Sequence, residues 1–197
     1  MERRHNLLIG IVVGVVIVAA TVYATGLSER LLIPFGTSDE YESSESGIAP
    51  ALTHGDWINS EPLKLENLRG RVVLIEFWTF GCINCRNTLP FVKSWHDRYR
   101  EKGLTVIGVH SPEFAEERIV ENLRGQVVSL GINYPVVSDN DYQTWNAYNV
   151  QAWPTMFLLD KQGQIRWKHV GEGDYDETER VIQKLLAEKV KTTSSGI

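Results

Sequence analysis

Hydrophobic positions along this chain change their spacing several times, and each change marks an element. Asn6 to Ser28 carries no charged residue, and Leu7 to Leu27 is a run of 21 residues. At 1.5 Å per residue such a helix is about 31 Å long, close to the thickness of a bilayer's hydrocarbon core. The pattern therefore predicts a transmembrane anchor over 7–27. A signal peptide cleaved near Ala24 to Gly26 is the other reading, although its apolar region would normally be only about 7 to 15 residues. Arg3 and Arg4 precede the span, while Glu29 and Arg30 nearly cancel after it. The positive-inside tendency then puts residues 1–6 in the cytoplasm and everything past the span outside it. Residues 28–50 end in "GTSDEYESSESGIAP", acidic and without periodicity, as expected of a flexible linker.

Beyond the linker the spacing alternates between strand and helix. "VVLIEFW" (72–78) is almost continuously apolar, as in a strand covered on both faces. Val92, Trp95 and Tyr99 then recur at helical spacing. "LTVIGV" (104–109) is a second buried strand, and Ser111-Pro112-Glu113 predicts a helix start by cap residue, proline and early acid. Ile119, Val120, Leu123, Val127 and Leu130 would form that helix's apolar stripe. A short strand and helix are expected over 134–148. "TMFLLD" and "QIRWKHV" around "KQG" predict a hairpin. Asp174 with Glu177 predicts a capping box before a last helix carrying Val181, Ile182, Leu185 and Leu186. This order gives fold class α/β: a mixed central sheet with helices on both faces, over 51–191, and a disordered tail at 192–197.

Charge and composition narrow the function. Twenty basic against 25 acidic residues give a formal charge of −5, and no basic block follows the N-terminus, so no nucleic acid is expected as a partner. "GEG" at 171–173 lacks the third glycine of a dinucleotide fingerprint. The two cysteines, Cys82 and Cys85, stand in "WTFGCINCRNTLP" (78–90), where a strand ends and a helix begins. An anion at Cys82 is favoured there by free N–H groups and the helix dipole. Cys85, one turn on, is placed to attack a disulfide formed at Cys82, which suits thiol–disulfide exchange. A zinc site would want further ligands, and none is expected here: the other histidines, among them His54, His96, His110 and His169, are scattered. A structural disulfide over so short a loop would constrain the unfolded chain little.

These residues also carry a family resemblance. "FW" before the cysteines, the C-x-x-C itself, Pro90 five residues after Cys85, and "WPT" at 153–155 resemble a thioredoxin-like fold. With the anchor and the segment 112–150 ahead of that proline, the chain is similar to membrane-tethered TlpA/ResA-type proteins. "FWTFGCINC" with "VIGVHSPEF" resembles still more the thioredoxin-like C-terminal domain of DipZ-type proteins. The resemblance implies Cys82 as nucleophile, Cys85 as resolving thiol and Glu76 as proton acceptor for Cys85. It also implies a cis peptide before Pro154, with Trp78, Trp153, Pro154 and Thr155 as substrate-binding residues. Gly81 stands where tryptophan is common, and Thr88 where members that mature cytochrome c carry glutamate. His110, at the end of a strand, reads as a solvated loop histidine. His96 and the charge clusters Glu113–Arg118 and Asp174–Arg180 read as helix surface.

The expected function is a membrane-anchored extracytoplasmic thiol–disulfide oxidoreductase. Its partners would be extracytoplasmic protein thiols or disulfides and a transmembrane electron donor, and its cofactor none beyond the Cys82–Cys85 pair. Two alternatives stay open. Thr79-x-x-Cys82 resembles the peroxiredoxin T-x-x-C, though Ile75 stands at that motif's proline position. The two cysteines with a histidine such as His110 could instead serve a copper chaperone.

Overall fold

Residues 47–52 and 54–189 of this computed structural model are described below. The predicted anchor (7–27), the residues before it, most of the linker and the tail (192–197) lie outside them. Among the described residues no helix is long and apolar enough to cross a membrane. In chain order the elements are β1 Trp57–Ile58, β2 Val72–Trp78, α1 Ile83–Tyr99, β3 Leu104–His110, α2 Val120–Ser129, β4 Val136–Ser138, α3 Gln143–Ala147, β5 Thr155–Leu159, β6 Ile165–Val170 and α4 Tyr175–Ala187. The six strands form one sheet in the order β1-β4-β3-β2-β5-β6.

β2 and β3 are parallel, pairing Val72 with Leu104 and Trp78 with His110. β5 runs antiparallel to β2, with Phe77 opposite Thr155, and β6 returns antiparallel to β5. The sheet is thus mixed and β2 is interior, which explains its unbroken apolar run: all seven of its residues are buried. Alternation along β2 sorts these side chains. Val72, Leu74 and Trp78 enter one core with Leu89, Val92 and Trp95 of α1, Leu123 and Val127 of α2, and Ile182 and Leu185 of α4. Val73, Ile75 and Phe77 enter the other, with Leu65, Tyr148 and Val150. Glu76 has the parity of the first group, so it points toward α1. Each large apolar side chain so buried contributes about 1.5–3 kcal/mol.

Helices cover both faces, but unevenly: the second face carries α3, a 3-10 turn at Leu65–Leu68 and chain before β1. Several expectations are corrected. Residues 47–49, assigned to the linker, belong to the domain: Ile48 bridges Gln164, and the Ala49 N–H donates to the Gly163 carbonyl at 3.0 Å. β1 has no signal in the sequence; two residues are too few to show alternation. The helix expected to open at Ser111 begins only at Val120, after a 3-10 turn at Ala115–Arg118. Ser111 instead ties back to the sheet, donating its N–H to the Trp78 carbonyl at 3.0 Å. Ile119 is exposed, so only Leu123 and Val127 of the expected stripe are buried in α2. The capping box at Asp174 does not form. Asp174 takes a left-handed conformation (φ 47°) with no side-chain cap, and its carboxylate lies 3.4 Å from His169 Nδ1 instead.

Candidate active site

β2 ends at Trp78, and five residues later, at Ile83, α1 begins. Between them Thr79, Phe80 and Gly81 form a turn closed by the Cys82 N–H donating to the Thr79 carbonyl at 3.3 Å. Cys82 is the N-cap of α1, and its Sγ accepts the N–H of Cys85 at 3.2 Å. A sulfur in that place faces the positive end of a 17-residue helix, where negative charge is favoured. Both cysteines are free thiols, and they are unequal: Cys82 is partly exposed, Cys85 fully buried. A reagent from solvent therefore meets Cys82 first. Burial pushes the Cys85 thiol well above its ordinary range, and its hydrogen bond to Cys82 and the charge of Glu76 act in the same direction. Cys85 thus needs a nearby base to react.

Glu76 is that neighbour. It is fully buried, and one carboxyl oxygen, Oε2, accepts the Tyr134 hydroxyl at 3.1 Å. The other, Oε1, has no hydrogen-bond partner among the described residues. Burial raises the pKa of this carboxyl to about 8, with the Tyr134 hydrogen bond working against the rise. A carboxyl near that value exchanges protons at neutral pH, as a base for a thiol must. Tyr134 carries no motif of its own. No sequence signal marks it, because it comes from the irregular stretch before β4, far from β2 in sequence.

The remaining predicted residues divide. The Trp153–Pro154 peptide is cis. The β2–β5 register, continued by one residue, sets Pro154 level with Trp78, where the cysteine turn starts. Trp153 is half-buried against Trp145 (ring centroids 4.4 Å apart), and its Nε1 donates to the Ser111 carbonyl at 3.0 Å. Trp78 and Thr155 offer no surface to a substrate. Trp78 is fully buried, its indole lying over Gly108, where a Cβ would come within 2.8 Å of Nε1. Thr155 is also fully buried, its hydroxyl donating to the Ala152 carbonyl at 2.7 Å.

His110 is not a solvated loop residue. It is fully buried, stacked on Phe80 and edge-on to Trp78, with Nε2 3.3 Å from the Thr79 hydroxyl. Burial lowers its pKa to about 4, so the imidazole is neutral. Glu117, assigned to helix surface, is buried as well: its carboxylate accepts the Gly81 N–H at 2.8 Å. A glycine directly before Cys82 was the available signal, since it marks a place where something approaches the backbone closely. Among the described residues no group of three or more His, Cys, Asp or Glu is placed to hold a metal ion.

Several known proteins are related to this chain in sequence or fold. DipZ of Mycobacterium tuberculosis is 44% identical over 133 residues, covering 66% of this chain and 19% of DipZ. The thiol-disulfide oxidoreductase ResA of Geobacillus kaustophilus is 25% identical over 190 residues, covering 94% of this chain and 99% of ResA. The chain spans about a fifth or less of the length of DipZ and of the other longer relatives it matches, such as SUPPRESSOR OF QUENCHING 1 of Arabidopsis thaliana at 12%. Among solved structures, a thiol-disulfide isomerase from Corynebacterium glutamicum superposes with a TM-score of 0.64 at 30% identity, covering 72% of this chain and 98% of that one. The sequence model of the AhpC/TSA family matches residues 48–168, from the bridge at Ile48 into β6, and the chain therefore belongs to that family, in its thioredoxin-like form.

Proposed function

We propose that this protein is a thiol–disulfide oxidoreductase acting on protein thiols and disulfides, with Cys82 as nucleophile and Cys85 as resolving thiol. The observation that carries this reading is the asymmetry of the pair: Cys82 is partly exposed at a helix N-terminus, and Cys85 is sealed behind it beside Glu76. The Cys82 thiolate attacks one sulfur of a substrate disulfide, forming a mixed disulfide and releasing one substrate thiolate. Cys85 then passes its proton to Glu76 and attacks the Cys82 sulfur. The Cys82–Cys85 disulfide forms, the second substrate thiolate leaves, and two electrons have moved from the dithiol to the substrate. The reverse sequence oxidises a substrate dithiol. Half-buried Trp153, next to the cis Pro154 that stands level with the start of the cysteine turn, lines the approach. The relatives named thiol-disulfide oxidoreductase and isomerase support this assignment.

The finer reading places the domain outside the cytoplasm, held to the membrane by residues 7–27 and recharged by a transmembrane electron donor. It rests on the uncharged run and on Arg3 and Arg4 before it. The rival activity, peroxide reduction by Cys82, is suggested by Thr79 three residues before it. Peroxide turnover that survives loss of Cys85 would favour that rival.

Trapping decides the roles of the thiols. Cys85→Ser removes the only group within the chain that releases a mixed disulfide, so substrates should accumulate covalently on Cys82 and be freed by dithiothreitol. Cys82→Ser should trap almost none. Non-reducing gels of both variants read this directly; adducts on Cys82→Ser alone would reverse the roles, and none on either would remove the oxidoreductase reading.

A further inference from the structure

The steps above use nothing from the segment between β3 and α2, yet that segment sends a buried carboxylate to the cysteine turn. Glu117 lies in the 3-10 turn Ala115–Arg118 and is 2% exposed. Its Oε1 accepts the N–H of Gly81 at 2.8 Å. Its Oε2 accepts the N–H groups of Glu113 (2.5 Å) and Phe114 (3.0 Å). All three partners are neutral donors. Burial acts to raise this carboxyl's pKa, but hydrogen bonding outweighs it and holds the group below the usual range. A buried carboxylate costs several kcal/mol unless its oxygens are satisfied, and these donors satisfy both.

One of the three donors, the Gly81 N–H, belongs to the turn that presents Cys82. In the same turn Thr79 accepts the Cys82 N–H on its carbonyl and lies 3.3 Å from His110 Nε2 through its hydroxyl. Gly81 fits the carboxylate by having no side chain: a Cβ there would stand 2.5 Å from Glu117 Oε1, closer than real Cβ contacts come. The same segment holds the opposite wall, because the Ser111 carbonyl accepts the indole N–H of Trp153.

From this geometry we propose that Glu117 is a positioning residue of the dithiol site. Its carboxylate fixes the Thr79–Cys82 turn through the Gly81 N–H, and so sets the direction in which Cys82 Sγ meets a disulfide. The inference deepens, and for its meaning rests on, the oxidoreductase reading. Sulfur exchange needs the three sulfurs in line, and misplacing a reacting group by about 1 Å can cost on the order of a hundredfold in rate.

The test compares Glu117→Gln, Gly81→Ala and the double variant, each as the full reduced chain. Glu117→Gln keeps the size but sets an NH2 donor against N–H donors; Gly81→Ala breaks the same contact from the other side. For each, thermal unfolding establishes folding, and the folded protein is followed in exchange with oxidised glutathione and in Cys82 alkylation by iodoacetamide. Each single variant should slow exchange by roughly ten- to a hundredfold. The double variant should be no slower than the worse single one, because both changes remove one shared contact. Glu117→Asp, which keeps the charge and both acceptors, should recover part of the rate. Folded Glu117→Gln or Gly81→Ala reacting at the wild-type rate, with only the melting temperature lowered, would overturn the proposal; if Glu117→Gln does not fold, Gly81→Ala alone decides. Wild-type protein inert toward oxidised glutathione, together with no dithiothreitol-sensitive adducts on Cys85→Ser, would instead refute the oxidoreductase reading, and the alkylation rates would still test Glu117.

Discussion

Glu76 shares its face of β2 with Val72, Leu74 and Trp78, so period-two geometry alone aims a carboxyl into an apolar core. Its titration then bears on stability. The carboxyl titrates near 4.5 when unfolded and near 8 in the folded protein. Between those values the native state holds a proton that the unfolded chain has lost, so stability falls as pH rises through that window. At about 1.4 kcal/mol for each pH unit of the window, the fall amounts to about 3 to 5 kcal/mol. Glu76→Gln should abolish this slope and be more stable than wild type at pH 8.5, as measured by denaturant unfolding of the reduced protein at pH 5.5, 7 and 8.5. A wild type equally stable at all three would refute the buried ionisation. The same variant should resolve mixed disulfides slowly and lose the rise in rate toward pH 8. Stability and exchange therefore move in opposite directions, as expected where a buried acid serves chemistry.

Elements hold the site through polar contacts as well as apolar packing. α1 carries Cys82 at one end and is clamped at the other to α4 through Glu179. That carboxylate accepts from Arg98 at 2.6 and 2.7 Å, from the Tyr99 hydroxyl at 2.5 Å and from Trp95 Nε1 at 3.3 Å. Glu179→Ala leaves a largely buried indole N–H and hydroxyl without their acceptor and should cost about 1–3 kcal/mol. Because the clamp lies several helical turns from Cys82, folded Glu179→Ala should keep its exchange rate with oxidised glutathione. An exchange defect as large as that of Glu117→Gln would show that α1 transmits strain along its length. The contrast between the two glutamates is one of place: both are satisfied carboxylates, but only Glu117 bonds the turn that carries the nucleophile.

For the whole molecule, the proposed topology is an N-terminus inside, one span and the domain outside. Acidic, aperiodic linkers are favoured sites of proteolysis. Protease added to intact cells with a permeable envelope should therefore release the domain by cutting before Gly47, where its pairing with Ile165 begins. A domain protected until the membrane is broken would place it in the cytoplasm and remove the need for a transmembrane donor.

Those parts of the protein whose signals are local were legible in the residues alone. An interior strand reads as an unbroken apolar run because both its faces are covered, a C-x-x-C after that strand reads as a helix-capping dithiol, and the hairpin and last helix follow their own periodicities. The motif also located Cys82 and Cys85 at the start of a helix, whereas Glu76 and a cis peptide before Pro154, cis in the structure, came from the family resemblance and not from any local signal. The other features came from long-range packing. Tyr134 meets Glu76 across 58 residues of sequence, and Glu117 meets Gly81 across 36. Neither pairing has a period, because in each at least one partner sits in irregular backbone. Burial of His110, Trp78 and Thr155 likewise depends on what packs over the strand ends, which no single strand encodes. Ser111 has the chemistry of a helix cap, yet the Trp78 carbonyl claims its N–H and the hydroxyl of Ser111 turns to Asp139 at 3.2 Å. Long-range hydrogen bonds to the sheet outweighed a local preference worth only about 1 kcal/mol.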